Sequence, residues 1–147
     1  MASVVNHVGL CVTDVARSRR FYEELLGFEF QREMKLPDGA VDRLLGIERP
    51  IGLTAVYLQR DGLVLELLHF DRPGNPSLRE RPMNEPGLTH LSLCVDDLPD
   101  VCARLSEYDA AEVEGTNLGV VVMIRDPDGQ LIELLTMDYR KSIEGGS

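Results

Sequence analysis

Residues 6–15 read NHVGLCVTDV and residues 89–98 read THLSLCVDDL, which aligns His7 with His90, Cys11 with Cys94 and Asp14 with Asp97. Farther on, DGLVLELL at 61–68 matches DGQLIELL at 128–135 and aligns Glu66 with Glu133. Such a repeat constrains the fold more than any single element, because each copy must build the same local structure. His7 to His90 spans 83 positions and Glu66 to Glu133 spans 67, so the first copy carries 16 extra residues between its histidine and its glutamate. KLPDGAVDRLLGIERP, 35–50, is the natural place for them. At 147 residues the chain suits one domain of two modules. Module one covers about 4–70, a linker about 71–87 and module two about 88–138.

Each module reads β-α-β-β-β. VVNHVGLCV opens with strand-like alternation, and Asp14 stands where a helix needs its N-cap. Ser18, Phe21, Tyr22 and Leu25 then fall on one helical face, and Gly27 suits the stop. Strands follow at FEFQREM, LTAVYLQ and LVLELLHF, the last two joined by a turn at Arg60-Asp61-Gly62. In module two Asp97 caps a helix with Leu98, Val101, Cys102 and Leu105 on one side and Pro99 early in the first turn. Its strands are AEVEG, LGVVVMIR and QLIELLTM, with DPDG at 126–129 as a hairpin turn. The insertion should form a short helix capped by Asp38, with Val41, Leu44 and Leu45 on one face. Four prolines (73, 76, 82 and 86) make the linker irregular, apart from a helical turn near Ser77. The tail RKSIEGGS should fray.

Alternation puts His7 on one face with Gly9 and Cys11, and His90 with Ser92 and Cys94, while bulky residues point the other way. Small neighbours beside a histidine are what a cavity wall needs. Glu66 and Glu133 sit within apolar runs, where a carboxylate is costly unless paired, protonated or metal-bound. A lone strand histidine is more often a hydrogen-bonded core residue, and a lone glutamate more often pairs with an arginine such as Arg60 or Arg125. The doubled pattern shifts the balance. If the modules pack about a pseudo-twofold axis, His7, Glu66, His90 and Glu133 form a coherent two-nitrogen, two-oxygen divalent metal site.

Composition narrows the partners. Twenty-five acids against 15 bases leave a net charge of −10, which disfavours general nucleic-acid binding and an anionic membrane surface. No window reaches the ~18 apolar residues of a membrane span, and the N-terminus does not read as a signal peptide. Three cysteines without a CxxC pair suit reduced thiols in a cytoplasmic protein.

The segments NHVGLCVTDVARSRRFYEELLGFEF, GLTHLSLCVDDL and RDPDGQLIELL resemble the vicinal oxygen chelate superfamily, which includes glyoxalase I, methylmalonyl-CoA epimerase, fosfomycin-resistance proteins and extradiol dioxygenases. The resemblance covers nearly the whole chain. It implies an α+β fold of two tandem βαβββ modules whose curled mixed sheets form a metal-holding trough. It also implies ligands on the first and last strands of each module, here His7, Glu66, His90 and Glu133. One divalent metal (Zn, Ni, Co, Mn or Fe) would bind vicinal oxygens of a small substrate and stabilise an enediolate or enolate during isomerisation, epimerisation or lyase chemistry. Glu133 first and Glu66 second are the candidate bases. Cys11, Ser92, Cys94, Tyr57 and Met123 are candidates for the pocket wall. Arg43, Arg49, Arg72, Arg79 and Arg81 are candidates to meet a substrate anion, although solvated arginines are commoner. The alternatives are an Fe(II) ring-cleaving dioxygenase and a non-catalytic binding or resistance protein. Members of this size commonly form homodimers.

Overall fold

In each repeat an aspartate turns the first strand into a helix. Asp14 accepts the Arg17 N–H at 3.0 Å and Asp97 accepts the Asp100 N–H at 2.9 Å, so both helices start with a side-chain cap. The computed structural model describes residues 2–72, 76 and 78–144. Contacts divide it into two units, Met1–Ser77 and Leu78–Ser147.

In the first unit β1 (Val8–Cys11) leads into α1 (Val15–Arg19), which continues as a wider π turn over Arg20–Leu25. There follow β2 (Glu29–Leu36), α2 (Ala40–Leu45), β3 (Leu53–Arg60) and β4 (Leu63–Phe70). The sheet order is β1-β4-β3-β2, with β1 parallel to β4 and the other pairs antiparallel. The expected helical face is buried: Ser18, Phe21 and Tyr22 are inaccessible, as are Leu65 and Leu67 on β4. Phe21 and Tyr22 meet edge to face at 5.0 Å, and Tyr22 meets Phe28 the same way at 5.8 Å. Asp61 and Gly62 both take positive φ, as a two-residue hairpin between twisted strands requires.

The second unit repeats the plan with β5 (Leu91–Val95), α3 (Leu98–Arg104) extended by a 3₁₀ turn over Leu105–Tyr108, β6 (Ala111–Glu112), β7 (Val121–Arg125) and β8 (Leu131–Thr136). Its order, β5-β8-β7-β6, matches that of the first unit. The fold is α+β, built from two four-stranded mixed sheets. Leu98, Val101 and Leu105 are buried as their spacing predicts, whereas Cys102 is half-buried. Asp126 closes the β7–β8 loop by accepting the N–H groups of Asp128 and Gln130.

Four local expectations change. Asp38 does not cap α2; its carboxylate accepts the Ile51 N–H at 3.1 Å, and Gly39 stands at the cap. Leu44 on α2 is 82% exposed, so the supposed apolar face is not buried. The AEVEG strand shortens to Ala111–Glu112, because the Thr116 hydroxyl takes the Met123 N–H and bends the chain away. Arg140–Glu144 of the expected frayed tail are helical, since α4 runs Met137–Glu144 with Asp138 complementing its N-terminal dipole, and the tail's last three residues lie outside the described residues. Leu78 to His90 contains only turns, bends and irregular backbone, and the expected turn at Ser77 lies outside the described residues.

Candidate metal-binding pairs

Strand register places the candidate residues in rows. In the first sheet Gly9 lies opposite Glu66, Glu66 opposite Tyr57, and Tyr57 opposite Arg32. In the second, Ser92 lies opposite Glu133 and Glu133 opposite Met123. Residues opposite one another in a ladder share a face, so each glutamate stands centrally in its row. His7 and His90 sit one residue before β1 and β5, next to those rows.

Each histidine meets the glutamate of its own unit. His7 Nε2 lies 3.0 Å from Glu66 Oε2, and His90 Nε2 lies 3.8 Å from Glu133 Oε2. The other ring nitrogen is occupied in both. His7 Nδ1 donates to the Asn6 side-chain oxygen at 2.6 Å, and His90 Nδ1 is 2.9 Å from the Thr89 hydroxyl. Holding Nδ1 orients Nε2, which is how metal-binding imidazoles are commonly set. Asn6 and Thr89 were not singled out from the sequence, although they occupy equivalent places in the repeat. A polar residue before each histidine was the available signal.

The glutamates differ in their second partner. Tyr57 OH donates to Glu66 Oε1, a bond that holds the Tyr57 phenol above its usual pKa. Arg32 lies over the Tyr57 ring with its guanidinium carbon 4.4 Å from the centroid, and His7 meets that ring edge to face at 5.8 Å. Met123, the equivalent of Tyr57, offers no hydroxyl. Instead Ser92 Oγ donates to Glu133 Oε2 at 2.7 Å. Glu66 is 9% exposed and Glu133 half-buried. The arginine partners considered for them are engaged elsewhere: Arg60 donates to Leu26 O and Arg125 to Gly129 O.

The pair geometry suits a divalent ion. Two donors about 2.1 Å from one ion, at the angles of octahedral or tetrahedral coordination, lie roughly 3.0–3.4 Å apart. The His7–Glu66 pair meets this, and the His90–Glu133 pair is a few tenths of an ångström wider. No group of three or more His, Cys, Asp or Glu able to hold a metal occurs among the described residues. The gathering stops at pairs, one in each unit.

Of the wall candidates, Cys11 is exposed and Cys94 half-buried, neither in a disulfide. Met123 lines a cavity of about 430 Å³ in the second unit with Met83, Leu88, Arg125 and Leu131. Arg79 and Arg81 border it too, but Arg79 is paired with Glu85 and Arg81 donates to Leu88 O. Arg49 is paired with Asp42 and Arg72 donates to Glu48 O, while Arg43 is exposed on α2. Four of the five arginines thus serve local structure.

Residues 4–134 match the profile of the Glyoxalase/Bleomycin resistance protein/Dioxygenase superfamily. The chain belongs to this superfamily. The glyoxalase-type chain is 31% identical over 134 residues to the uncharacterized protein YaeR of Escherichia coli, covering 88% of this chain and 93% of that one. It is 28% identical over 143 residues to a lactoylglutathione lyase of Pseudomonas aeruginosa, covering 90% and 81%. Among solved structures, a glyoxalase family protein from Bacillus cereus superposes with a TM-score of 0.73 at 19% identity, covering 90% and 92%. That last likeness speaks for the fold alone.

Proposed function

We propose that the protein is a divalent-metal-dependent enzyme of the glyoxalase and epimerase type, with His7, Glu66, His90 and Glu133 as its metal ligands. The observation that carries this reading is the doubled His–Glu pair. Two equivalent rows in two sheets each bring an oriented imidazole nitrogen up to a carboxylate, at ligand spacing for His7 and Glu66 (3.0 Å) and a few tenths of an ångström beyond it for His90 and Glu133 (3.8 Å). A chance histidine–glutamate contact needs no second copy, and neither glutamate is tied to an arginine. Similarity to a lactoylglutathione lyase favours lyase or isomerase chemistry on a small molecule with two adjacent oxygens.

A bound divalent ion would supply Lewis acidity at a substrate oxygen, making the neighbouring C–H more acidic. His7 and His90 contribute neutral donors, and the carboxylates contribute the charge that offsets the ion. Glu133, half-buried, with Ser92 and His90 both at Oε2, is the carboxylate better placed to take a proton from substrate carbon and return it elsewhere. Glu66 is buried and doubly held, and stays in place. Met123 and the cavity beside it would receive the rest of the substrate. We also propose a cytoplasmic homodimer, in keeping with three cysteines outside disulfides. No helix among the described residues is long and apolar enough to cross a membrane.

The test is metal analysis of protein purified without a histidine tag. The wild type should carry close to one divalent ion per four-ligand site, and a His7→Ala, Glu133→Ala double variant should lose it. Wild-type metal content in that variant would overturn the assignment. With the ion restored, Glu133→Gln should lower kcat on the identified substrate by about 10²–10⁴-fold. Oxygen uptake with a catechol after anaerobic iron loading would move the reading to the ring-cleaving branch.

A further inference from the structure

The two carboxylates are alike in the repeat but not in their surroundings. Tyr57 OH occupies Glu66 Oε1 and leaves Oε2 pointing at His7 Nε2. On the other sheet Met123 stands where Tyr57 does, and the Ser92 hydroxyl reaches the same Glu133 oxygen that faces His90. Gly9, the counterpart of Ser92, has no side chain to offer Glu66. A Cβ there would meet Leu68 Cδ1 at 3.5 Å and Glu66 Oε2 at 3.9 Å, both ordinary contacts, so the backbone at Gly9 leaves room for a methyl group. Tyr57 thus takes over the hydrogen bond to Glu66 and moves it to the oxygen away from the histidine.

The geometry points to Tyr57 as a positioning residue that presents Glu66 to the metal through a single oxygen, Oε2. This rests on the proposed ligand set and assigns within it a role to a residue that touches no metal. The phenol holds one oxygen out of the coordination sphere and stops the carboxylate from rotating. Arg32, stacked on the ring, and His7 against its edge restrain the ring in turn. A hydroxyl that merely satisfied a buried carboxylate would not need its ring held by both Arg32 of the row and the histidine that the carboxylate faces. Partners of this kind set metal affinity because they pre-orient the ligand before the ion arrives.

The test is Zn²⁺ affinity, measured by competition with a chromophoric chelator, for wild type, Tyr57→Phe, Glu66→Gln and the double variant. Phenylalanine keeps the ring and both of its contacts, so the metal-free fold should persist, checked by its thermal midpoint. If it does not, Tyr57→Met, the residue the second sheet uses at 123, replaces it with the same expectation. Tyr57→Phe should weaken binding by about 10–100-fold. The double variant should bind no more weakly than Glu66→Gln alone, within about twofold, because Tyr57 acts only through Glu66. Affinity of Tyr57→Phe within twofold of wild type would overturn the role of Tyr57 and leave the ligand set standing, as would losses that multiply in the double variant. A wild type that binds no Zn²⁺ would overturn both.

Discussion

Cys11 and Cys102 show how far one residue type diverges with its surroundings. Cys11 is exposed at the end of β1, opposite Leu68. Cys102 is half-buried on α3, where burial first and the Glu112 carboxylate second push its thiol up to about 11. The thiolate is the reactive form, so a thiol near that value is only about one part in a thousand ionised at pH 8. Iodoacetamide at pH 8 should therefore label Cys11 well before Cys102, followed by peptide mass spectrometry; equal rates would contradict this environment for Cys102. The raised value means the folded state holds the Cys102 proton more tightly than the unfolded chain. Its contribution to stability is fully present below the ordinary thiol value and is lost as pH rises from there through about 11. Neither the exposure of Cys11 nor the Glu112 contact can be read from the sequence, since both depend on neighbours distant along the chain.

The structure keeps the elements set by local rules: both aspartate caps, the helical faces except for half-buried Cys102, and the Asp61-Gly62 hairpin. Those signals lie within a few residues of one another. The insertion was less legible, because its anchors are not local. Asp38 reaches Ile51, and Gly52 packs at φ +55 with space for no side chain; a Cβ would lie 2.9 Å from Asp71 O. Gly52→Ala should therefore destabilise the protein by roughly 1–3 kcal/mol, seen as a lower urea midpoint with an unchanged slope. Stability within a few tenths of a kcal/mol of wild type would show that the β3 entry relaxes. Phe21, inaccessible under the first sheet, provides the comparison in a packed core: Phe21→Ala should cost about 3–5 kcal/mol.

At the scale of the whole molecule, the repeat and the charge act together. A net charge of −10 draws cations toward the surface, while the His–Glu pairs offer oriented donors to one kind of cation. A metal that binds only the folded protein stabilises it by about 2.7 kcal/mol at one hundred times its dissociation constant. For a chain of this size that is a rise in thermal midpoint of roughly 5–10 °C. Adding Zn²⁺ to chelator-treated protein should produce that rise, a chelator should reverse it, and His90→Ala should abolish it. A midpoint indifferent to metal would speak for a binding protein that needs none.

By itself, the sequence determined the repeated β-α-β-β-β order, the capped starts of α1 and α3, and which four polar residues stand at equivalent places in two apolar settings. These follow from periodicity and capping, which act over a few residues, and from self-similarity, which needs no structure to detect. Only the tertiary structure decided that Glu66 falls in register between Gly9 and Tyr57, and that the phenol, not an arginine, holds its second oxygen. It also decided that Asp38 anchors Ile51 in place of capping α2. Register joins strands tens of residues apart through backbone hydrogen bonds, and a shift of one residue would turn every side chain to the other face. Local pattern carries no record of that choice.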